Sequence, residues 1–268
     1  MSLLNLKPNY QVINESDKPF DFIKDFKSPL VFTAYVFLIM SLVFAFLLQV
    51  DTAEILGVSR WLKPFKFAIS GVVFNLTIAY ILPFLGMKRR GVFDWILAVS
   101  LFIDNGIIAF QSFRMETSHY NFTSPLNAIL FAVMGVFVSV ISLQIAYLWI
   151  ASFVKKMPKA KLEQRAIQWG LSLMMLSFVG GGFMIGMSQH TIGAADGGLG
   201  VPLLNWSIES GDLRVMHFIG MHAIQILLIV AVLSKKQMFI TTTGIALLVI
   251  TVFTSIQAIN GNPFIPFP

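Results

Sequence analysis

Long apolar runs separated by short polar segments dominate the chain. Seven of these runs have the length, about 20 residues, that an α-helix needs to cross the hydrocarbon core of a bilayer. They occupy residues 29–50, 65–86, 92–111, 125–153, 166–187, 213–233 and 238–259. The pattern therefore predicts an all-α polytopic membrane protein, built as a bundle of seven transmembrane helices.

The predicted organisation has three parts. They are a cytoplasmic N-terminal segment (1–28), the transmembrane bundle (29–259) and an extended outer tail (260–268). In the first part Phe20, Ile23 and Phe26 fall on one helical stripe, and Ser16 is placed to cap it. A short interfacial helix is therefore predicted there, with a loosely ordered tail as the alternative. The outer tail is too rich in proline to be helical.

Positive charge concentrates at one end of the predicted bundle. In a seven-span topology, fourteen of the nineteen Lys and Arg residues fall on the side of the N-terminus and of the loops after spans two, four and six. The other five are Arg60, Lys63, Lys66, Arg114 and Arg214. Because basic loops stay on the cytoplasmic side, the N-terminus is predicted inside and the C-terminus outside. The expected location is the cell membrane, which in a bacterium is the inner membrane.

Composition excludes several classes of protein. Charged residues make up 12% of the chain and hydrophobic residues 56%, whereas a soluble domain carries about 25% charged residues. The absence of cysteine excludes disulfides, thiolate metal sites, cysteine nucleophiles and c-type haem attachment. The net charge is +6, and the basic residues cluster in short loops. There they indicate the topology of the chain in the membrane. The lipid bilayer is therefore the expected partner, and nucleic acid is not.

Span six carries one polar face. Arg214, His217, His222 and Gln225 fall within an arc of about 140° at the helical period. A polar face inside hydrocarbon is costly, so it is expected to face the bundle interior or a water-filled cavity. Hydrogen bonding between helices is the simpler interpretation, and a binding or catalytic site is the alternative.

Span three offers a matching polar face with Ser100, Asp104 and Gln111. A carboxylate within a membrane is a functional-site hypothesis by default. We therefore predict that spans three and six face each other across a polar cavity that opens outward. His222 should be buried there, with Asp104 or Gln111 within reach. A purely structural pair between Asp104 and a Lys or Arg is the alternative.

Span two begins with Lys63 and Lys66, three residues apart on one face. Snorkelling of the two side chains to the interface would explain them without any ligand. The functional alternative is that they hold an anionic group together with Arg214. In span five, Gly182 and Gly186 form a small-xxx-small pair that predicts close approach of another helix.

Two outer loops hold further candidate chemistry. Glu116 and His119 have the Glu-x-x-His spacing of di-iron proteins, but the chain has a single such motif. The glycine-rich segment 189–200 carries His190. The four histidines of the chain are the candidate ligands of a transition metal or haem, and they are His119, His190, His217 and His222.

A membrane-embedded enzyme or redox protein with an outward-facing site is the first functional hypothesis. The candidate catalytic residues are Asp104, His217, His222, Glu116 and His119. The candidate substrate-binding residues are Lys63, Lys66, Arg214, Gln111 and Gln225. The alternatives are a proton-coupled transporter of a small anionic solute and a non-catalytic binding or structural subunit of a membrane complex. A small-molecule or lipid-like ligand fits each of the first two hypotheses, and the sequence leaves enzymatic activity open.

Two stretches carry a resemblance to other proteins. They are Ser118-His119-Tyr120-Asn121 through Pro125, and Gly211-Asp212-Leu213-Arg214 through His217, Gly220, His222 and Gln225. These stretches resemble segments of a group of bacterial multi-pass integral membrane proteins that carry no named activity, and the likeness covers the region from about 60 to 225. The resemblance implies a multi-pass membrane fold and assigns no catalytic role to any residue.

Overall fold

The structure of the chain is a computed structural model that describes residues 21–157, 160–198 and 200–265. Seven long helices account for most of it. They are α1 (Pro29–Val50), α2 (Leu62–Ile81), α3 (Val92–Phe113), α4 (Pro125–Val154), α5 (Lys161–Met187), α6 (Leu213–Ser234) and α7 (Gln237–Ile259). All seven are long and apolar enough to cross a membrane. The prediction of an all-α bundle with seven spans is therefore confirmed.

Short strands and loops gather at one end of the bundle, which we call the loop end (residues 51–61, 114–124, 188–198 and 200–212). Two antiparallel strand pairs lie there. They are β1 (Glu54–Ile55) with β2 (Val58–Ser59), and β3 (Thr191–Ile192) with β4 (Gly211–Asp212). The opposite end, which we call the basic end, has the loops 82–91, 155–157 and 235–236.

The boundaries of two helices differ from the predicted spans by more than two residues. Helix α2 begins at Leu62 instead of residue 65, because Pro64 lies in the first turn, where a missing N–H is tolerated. It ends at Ile81 instead of residue 86, and the following turn closes with Gly86 at a φ of 69°. Helix α5 begins at Lys161, so its polar first turn extends beyond the apolar run. Lys63 and Lys66 both lie on α2 as a result.

The N-terminal segment enters the described part of the chain as a 3-10 helix from Asp21 to Lys24. It coincides with part of the predicted interfacial helix. Ser16 and Phe20 lie outside the described residues, as do the last three residues of the tail.

One buried core joins all seven helices, with contributions such as Leu30, Ile78, Leu97, Leu148, Ile167, Ile224 and Ile240. Within it, α6 packs against α5 and α7, whereas α3 packs against α4, α2 and α1. The prediction that spans three and six face each other is therefore not supported, because their main packing partners are different helices.

Glycine permits close helix contacts, but at positions other than those predicted. A Cβ added to Gly182 or Gly186 would meet no atom within 4 Å, and both residues are exposed on the bundle surface. A Cβ at Gly170 would lie 2.5 Å from the Cα of Ile224, and one at Gly220 would lie 2.7 Å from the carbonyl oxygen of Leu173. The glycine-mediated contact is thus between α5 and α6.

Candidate functional site

The connection between α1 and α2 holds the start of α2 in place. The Asp51 carboxylate accepts hydrogen bonds from Arg60 Nε at 2.8 Å, from Trp61 Nε1 at 2.7 Å and from the backbone N–H of Ala53 at 2.9 Å. These bonds lower the pKa of Asp51 to about 2, and the bond from the N–H of Ala53 lowers it most. The carboxylate therefore stays charged at neutral pH and positions the turn that presents Lys63.

Lys63 is in contact with a histidine from the next outer loop. Its Nζ lies 3.1 Å from His119 Nδ1, and Ser118 Oγ lies 3.0 Å from the same nitrogen. Burial of the ring is the main cause that holds the pKa of His119 well below its ordinary value, and the positive charge of Lys63 is the second cause. The imidazole is therefore neutral, and Nδ1 can accept a hydrogen bond from the ammonium group, which is a donor only.

Lys66 and Arg214 reach the same short turn. Lys66 Nζ donates to the carbonyl oxygen of Leu204 at 2.8 Å. Arg214 NH2 donates to the carbonyl oxygen of the next residue, Asn205, at 2.5 Å. Lys63 interacts electrostatically with both Lys66 and Arg214. These three side chains, from the first turns of α2 and α6, form what we call the cation cluster (Lys63, Lys66 and Arg214).

Asp212 anchors the arginine of this cluster. Its carboxylate is 1% exposed and accepts from Arg214 Nε at 2.9 Å and from Arg214 NH2 at 2.6 Å. It also accepts from the backbone N–H groups of Ser207 and Arg214, which makes it the N-cap of α6. Burial alone would raise the pKa of Asp212, but the bonds and charge of Arg214 outweigh it and lower the pKa.

His190 and Asp196 form a second pair beside the cluster. His190 Nδ1 lies 3.1 Å from Asp196 Oδ1, and the carboxylate also accepts from the backbone N–H of Thr191 at 2.9 Å. Burial and then the charge of Arg214 lower the pKa of His190 to about 4, against the attraction of Asp196. The pair is therefore a neutral imidazole beside a carboxylate. Burial and Asp196 raise the pKa of Tyr120 to about 12, so its hydroxyl keeps its proton.

Asp104 lies deeper in the bundle, in α3. It is 7% exposed, and its Oδ1 has no hydrogen-bond partner among the described residues. Lys63 is the side chain whose charge acts on it. The structure thus places a buried carboxylate near the cation cluster. We predicted Asp104 or Gln111 within reach of His222, directly or through water, and among the described residues neither has a hydrogen bond to His222.

The other candidate residues of span six lie deeper along α6 and are not hydrogen-bonded to the cation cluster. His217 Nδ1–H donates to the carbonyl oxygen of Ser177 at 2.8 Å. The ring of His222 packs on Phe218 of the same helix with 4.4 Å between centroids. Gln225 Oε1 is buried and has no hydrogen-bond partner among the described residues. The polar stripe of span six is therefore divided, with Arg214 in the cluster and both histidines against neighbouring side chains and backbone.

Two candidates, Gln111 at the end of α3 and Glu116 in the loop after it, hold that loop in place. Gln111 Oε1 accepts from Arg114 at 2.6 Å, and Gln111 Nε2 donates to Asn127 Oδ1 at 3.1 Å. Glu116 accepts from Asn121 at 2.9 Å. These bonds tie the end of α3 to the start of α4, and they leave neither Gln111 nor Glu116 in contact with the cation cluster.

The structure gives no support to the metal and haem hypothesis. Over residues 21–157, 160–198 and 200–265, no group of three or more His, Asp or Glu side chains is placed to hold a metal ion. His119 interacts electrostatically with His190, and His222 with His217. His119 and His190 lie in loops at the loop end, whereas His217 and His222 lie in α6.

Sequence reasoning missed three elements of the site. Asp212 carried a signal, because an Asp directly before an apolar helix is typical of an N-cap. Asp196 lies on a glycine-rich loop, where spacing does not indicate its partner. The carbonyl oxygens of Leu204 and Asn205 have no sequence signal, since every residue has one.

Comparison of the chain with protein-family models, with curated proteins and with solved structures found no match in any of the three. The seven apolar helices support a multi-pass membrane protein in a lipid bilayer.

Proposed function

We propose that the protein binds a small anionic solute at the loop end and carries it in a proton-coupled manner. One observation supports this most: the cation cluster converges from two helices, yet Arg214 alone among its three members contacts a carboxylate in the part of the chain that the structure describes. Buried or half-buried cations without a counter-charge are costly in a membrane, and an anion would offset that cost.

The surroundings of the cluster favour an anion over a cation. The two nearest imidazoles, His119 and His190, are neutral because their pKa values are lowered. The Asp196 carboxylate already accepts from the backbone N–H of Thr191. The Asp212 carboxylate already accepts from the backbone N–H of Ser207 and from Arg214. The side chains that remain for a ligand are hydrogen-bond donors, and donors of positive charge suit a carboxylate or phosphate.

Asp104 supports the coupling to protons. It interacts with Lys63 without contacting it, so its negative charge competes with a bound anion for the same ammonium group. Uptake of a proton by Asp104 would leave Lys63 free for the anion, and release of the proton would favour release of the anion. This is the linkage expected of a proton-coupled carrier.

We also propose that the loop end faces outward. The basic end carries residues such as Lys88, Arg90, Lys235 and Lys236, and loops of this charge stay in the cytoplasm. The solute would then enter from outside the cell.

Replacement of Lys66 by methionine is expected to abolish anion binding while the bundle stays folded. The substitution keeps the apolar stem and removes the charge that donates to Leu204. Binding of inorganic phosphate, sulfate, acetate and succinate would be measured by the shift in tryptophan-fluorescence melting of the purified full chain. Lys24→Met is the matched control, because Lys24 is exposed and lies in the N-terminal segment before α1. Equal shifts in wild type and Lys66→Met, or no shift with any anion, would contradict the proposal.

Replacement of Asp104 by asparagine is expected to keep anion binding and to remove the dependence of uptake on a proton gradient. Asparagine resembles the protonated carboxyl group and cannot release a proton. Uptake of the anion that gives the largest melting shift would be followed in proteoliposomes, with and without an inward proton gradient. Gradient-driven uptake by Asp104→Asn at the wild-type rate would rule out the carrier role of Asp104.

A further inference from the structure

The turn from Gly200 to Ser207 presents two backbone oxygens to the cation cluster. The carbonyl oxygens belong to successive residues, Leu204 and Asn205, and they accept from Lys66 at 2.8 Å and from Arg214 at 2.5 Å. The two cations come from different helices, α2 and α6. The turn is therefore the element that bridges them.

We infer that this turn is a built-in substitute for the ligand, and that the ligand is an oxyanion with at least two oxygens on one centre, a carboxylate or a phosphate group. Its oxygens would take the places of the Leu204 and Asn205 carbonyl oxygens on Lys66 and Arg214. The inference rests on the proposed function, since it assumes that the cation cluster is the anion site.

The conformation of the turn supports this assignment. Leu203 and Asn205 have φ values of 64° and 52°, in the left-handed region that residues other than glycine rarely adopt. Asparagine tolerates this region, but leucine does not. The Leu203 side chain is 65% exposed, so burial does not offset its strain. The contacts that hold the turn are thus made elsewhere, and those to Lys66 and Arg214 are among them.

Trp206 is the second anchor of the turn. It is 8% exposed, and its ring packs edge-on against Phe218 at 5.5 Å and Phe264 at 5.8 Å. The turn is closed by a bond from the backbone N–H of Val201 to the carbonyl oxygen of Trp206 at 2.9 Å. Replacing Trp206 therefore removes these ring contacts but keeps the three cations and the carbonyl oxygens of Leu204 and Asn205.

A ligand can offer these cations more than the turn does. Lys66 has three N–H donors, and the Leu204 carbonyl is its one hydrogen-bond partner within the described segments. A carboxylate or phosphate carries full negative charge, so it adds a charge–charge attraction to these cations that a neutral carbonyl oxygen does not have. Displacement of the turn by such an anion is therefore favourable once the anion is present.

The test is the effect of loosening the turn on anion affinity. If the turn competes with the ligand, apparent affinity depends on the fraction of molecules in which the turn is displaced. Trp206→Ala should then bind inorganic phosphate or acetate at least about fivefold more tightly than wild type. Leu203→Asn, which suits the left-handed conformation better, should bind them more weakly. Trp149→Ala is the control, because Trp149 lies on α4 and its Nε1 donates a hydrogen bond to Ser172 on α5.

Titration calorimetry of the full chain in a phospholipid-free detergent would measure these affinities. Unchanged or weaker binding in Trp206→Ala, with binding still lost in Lys66→Met, would overturn the inference and leave the proposed function standing. Loss of the Lys66 dependence would instead refute the proposed function. Nanodiscs with phosphatidylglycerol identify the source of the oxyanion: weaker phosphate binding in them points to a lipid headgroup, and unchanged binding points to a free solute.

Discussion

Replacing Gly170 with alanine is expected to destabilise the bundle, whereas the same change at Gly182, in the same helix, is expected to stabilise it slightly. The added methyl group at Gly170 would lie 2.5 Å from the Cα and 2.6 Å from the Cβ of Ile224 in α6. Backbone atoms cannot move aside as a side chain does, so α5 and α6 would have to separate. Overpacking of this kind costs about 1–3 kcal/mol and sometimes more.

Gly182 is the matched control for this prediction. Its added Cβ would meet no atom within 4 Å, and alanine is a better helix former than glycine by about 0.5–1 kcal/mol. Both variants would be unfolded by SDS titration, followed by tryptophan fluorescence. If the two variants lose stability equally, close packing of α5 on α6 at Gly170 is not what the chain requires.

Replacing Asp212 with asparagine is expected to cost about 3 kcal/mol, the lower end of the cost of breaking a buried ion pair. Asparagine keeps the size of the side chain, but it leaves Arg214 without the carboxylate that it contacts at 2.6 Å. The amide oxygen can still cap α6 through the N–H of Arg214, but the amide NH2 group cannot accept the bond from the N–H of Ser207. Asp21→Asn is the control, because the pair of Asp21 with Lys24 is exposed.

The pH dependence of stability gives an independent check on Asp212. Its pKa in the folded state is below the ordinary value of 3.8, so the unfolded state binds the proton first as the pH falls. The stabilisation is therefore complete above pH 3.8 and is lost as the pH falls through the lower pKa of the folded state. Asp212→Asn should have a flatter stability profile than wild type below about pH 4. Parallel profiles would exclude this role.

Gly170 and Asp212 both belong to the framework that brings the cation cluster together. The contact of α5 with α6 at Gly170 and Gly220 sets the place of α6, and Asp212 sets the direction of Arg214 at its start. A loss at either place should weaken anion binding as well as folding. The Lys66→Met variant differs from both, because it is expected to change binding alone.

The sequence was sufficient for the number of spans and for the all-α class. Each span is a local property, since an apolar run of bilayer length has to be helical to satisfy its own backbone groups. It also singled out Lys63, Lys66, Arg214, His119 and Asp104 as candidates, because charge near a membrane interior is rare and costly. Helix ends were less certain, because Pro64 is tolerated within a first turn and polar residues extend α5 to Lys161.

The tertiary structure alone decided which polar groups meet. Periodicity assigns a residue to a face of its own helix, but it does not say which helix lies opposite, so His217 and His222 face α5 and Phe218 instead of Asp104. Likewise Gly170 makes the close contact and Gly182 does not, although both are glycines of α5. The oxygens of Leu204 and Asn205 reach the cations through the path of a loop. Contacts between distant segments depend on the packing of the whole chain, and no local pattern encodes them.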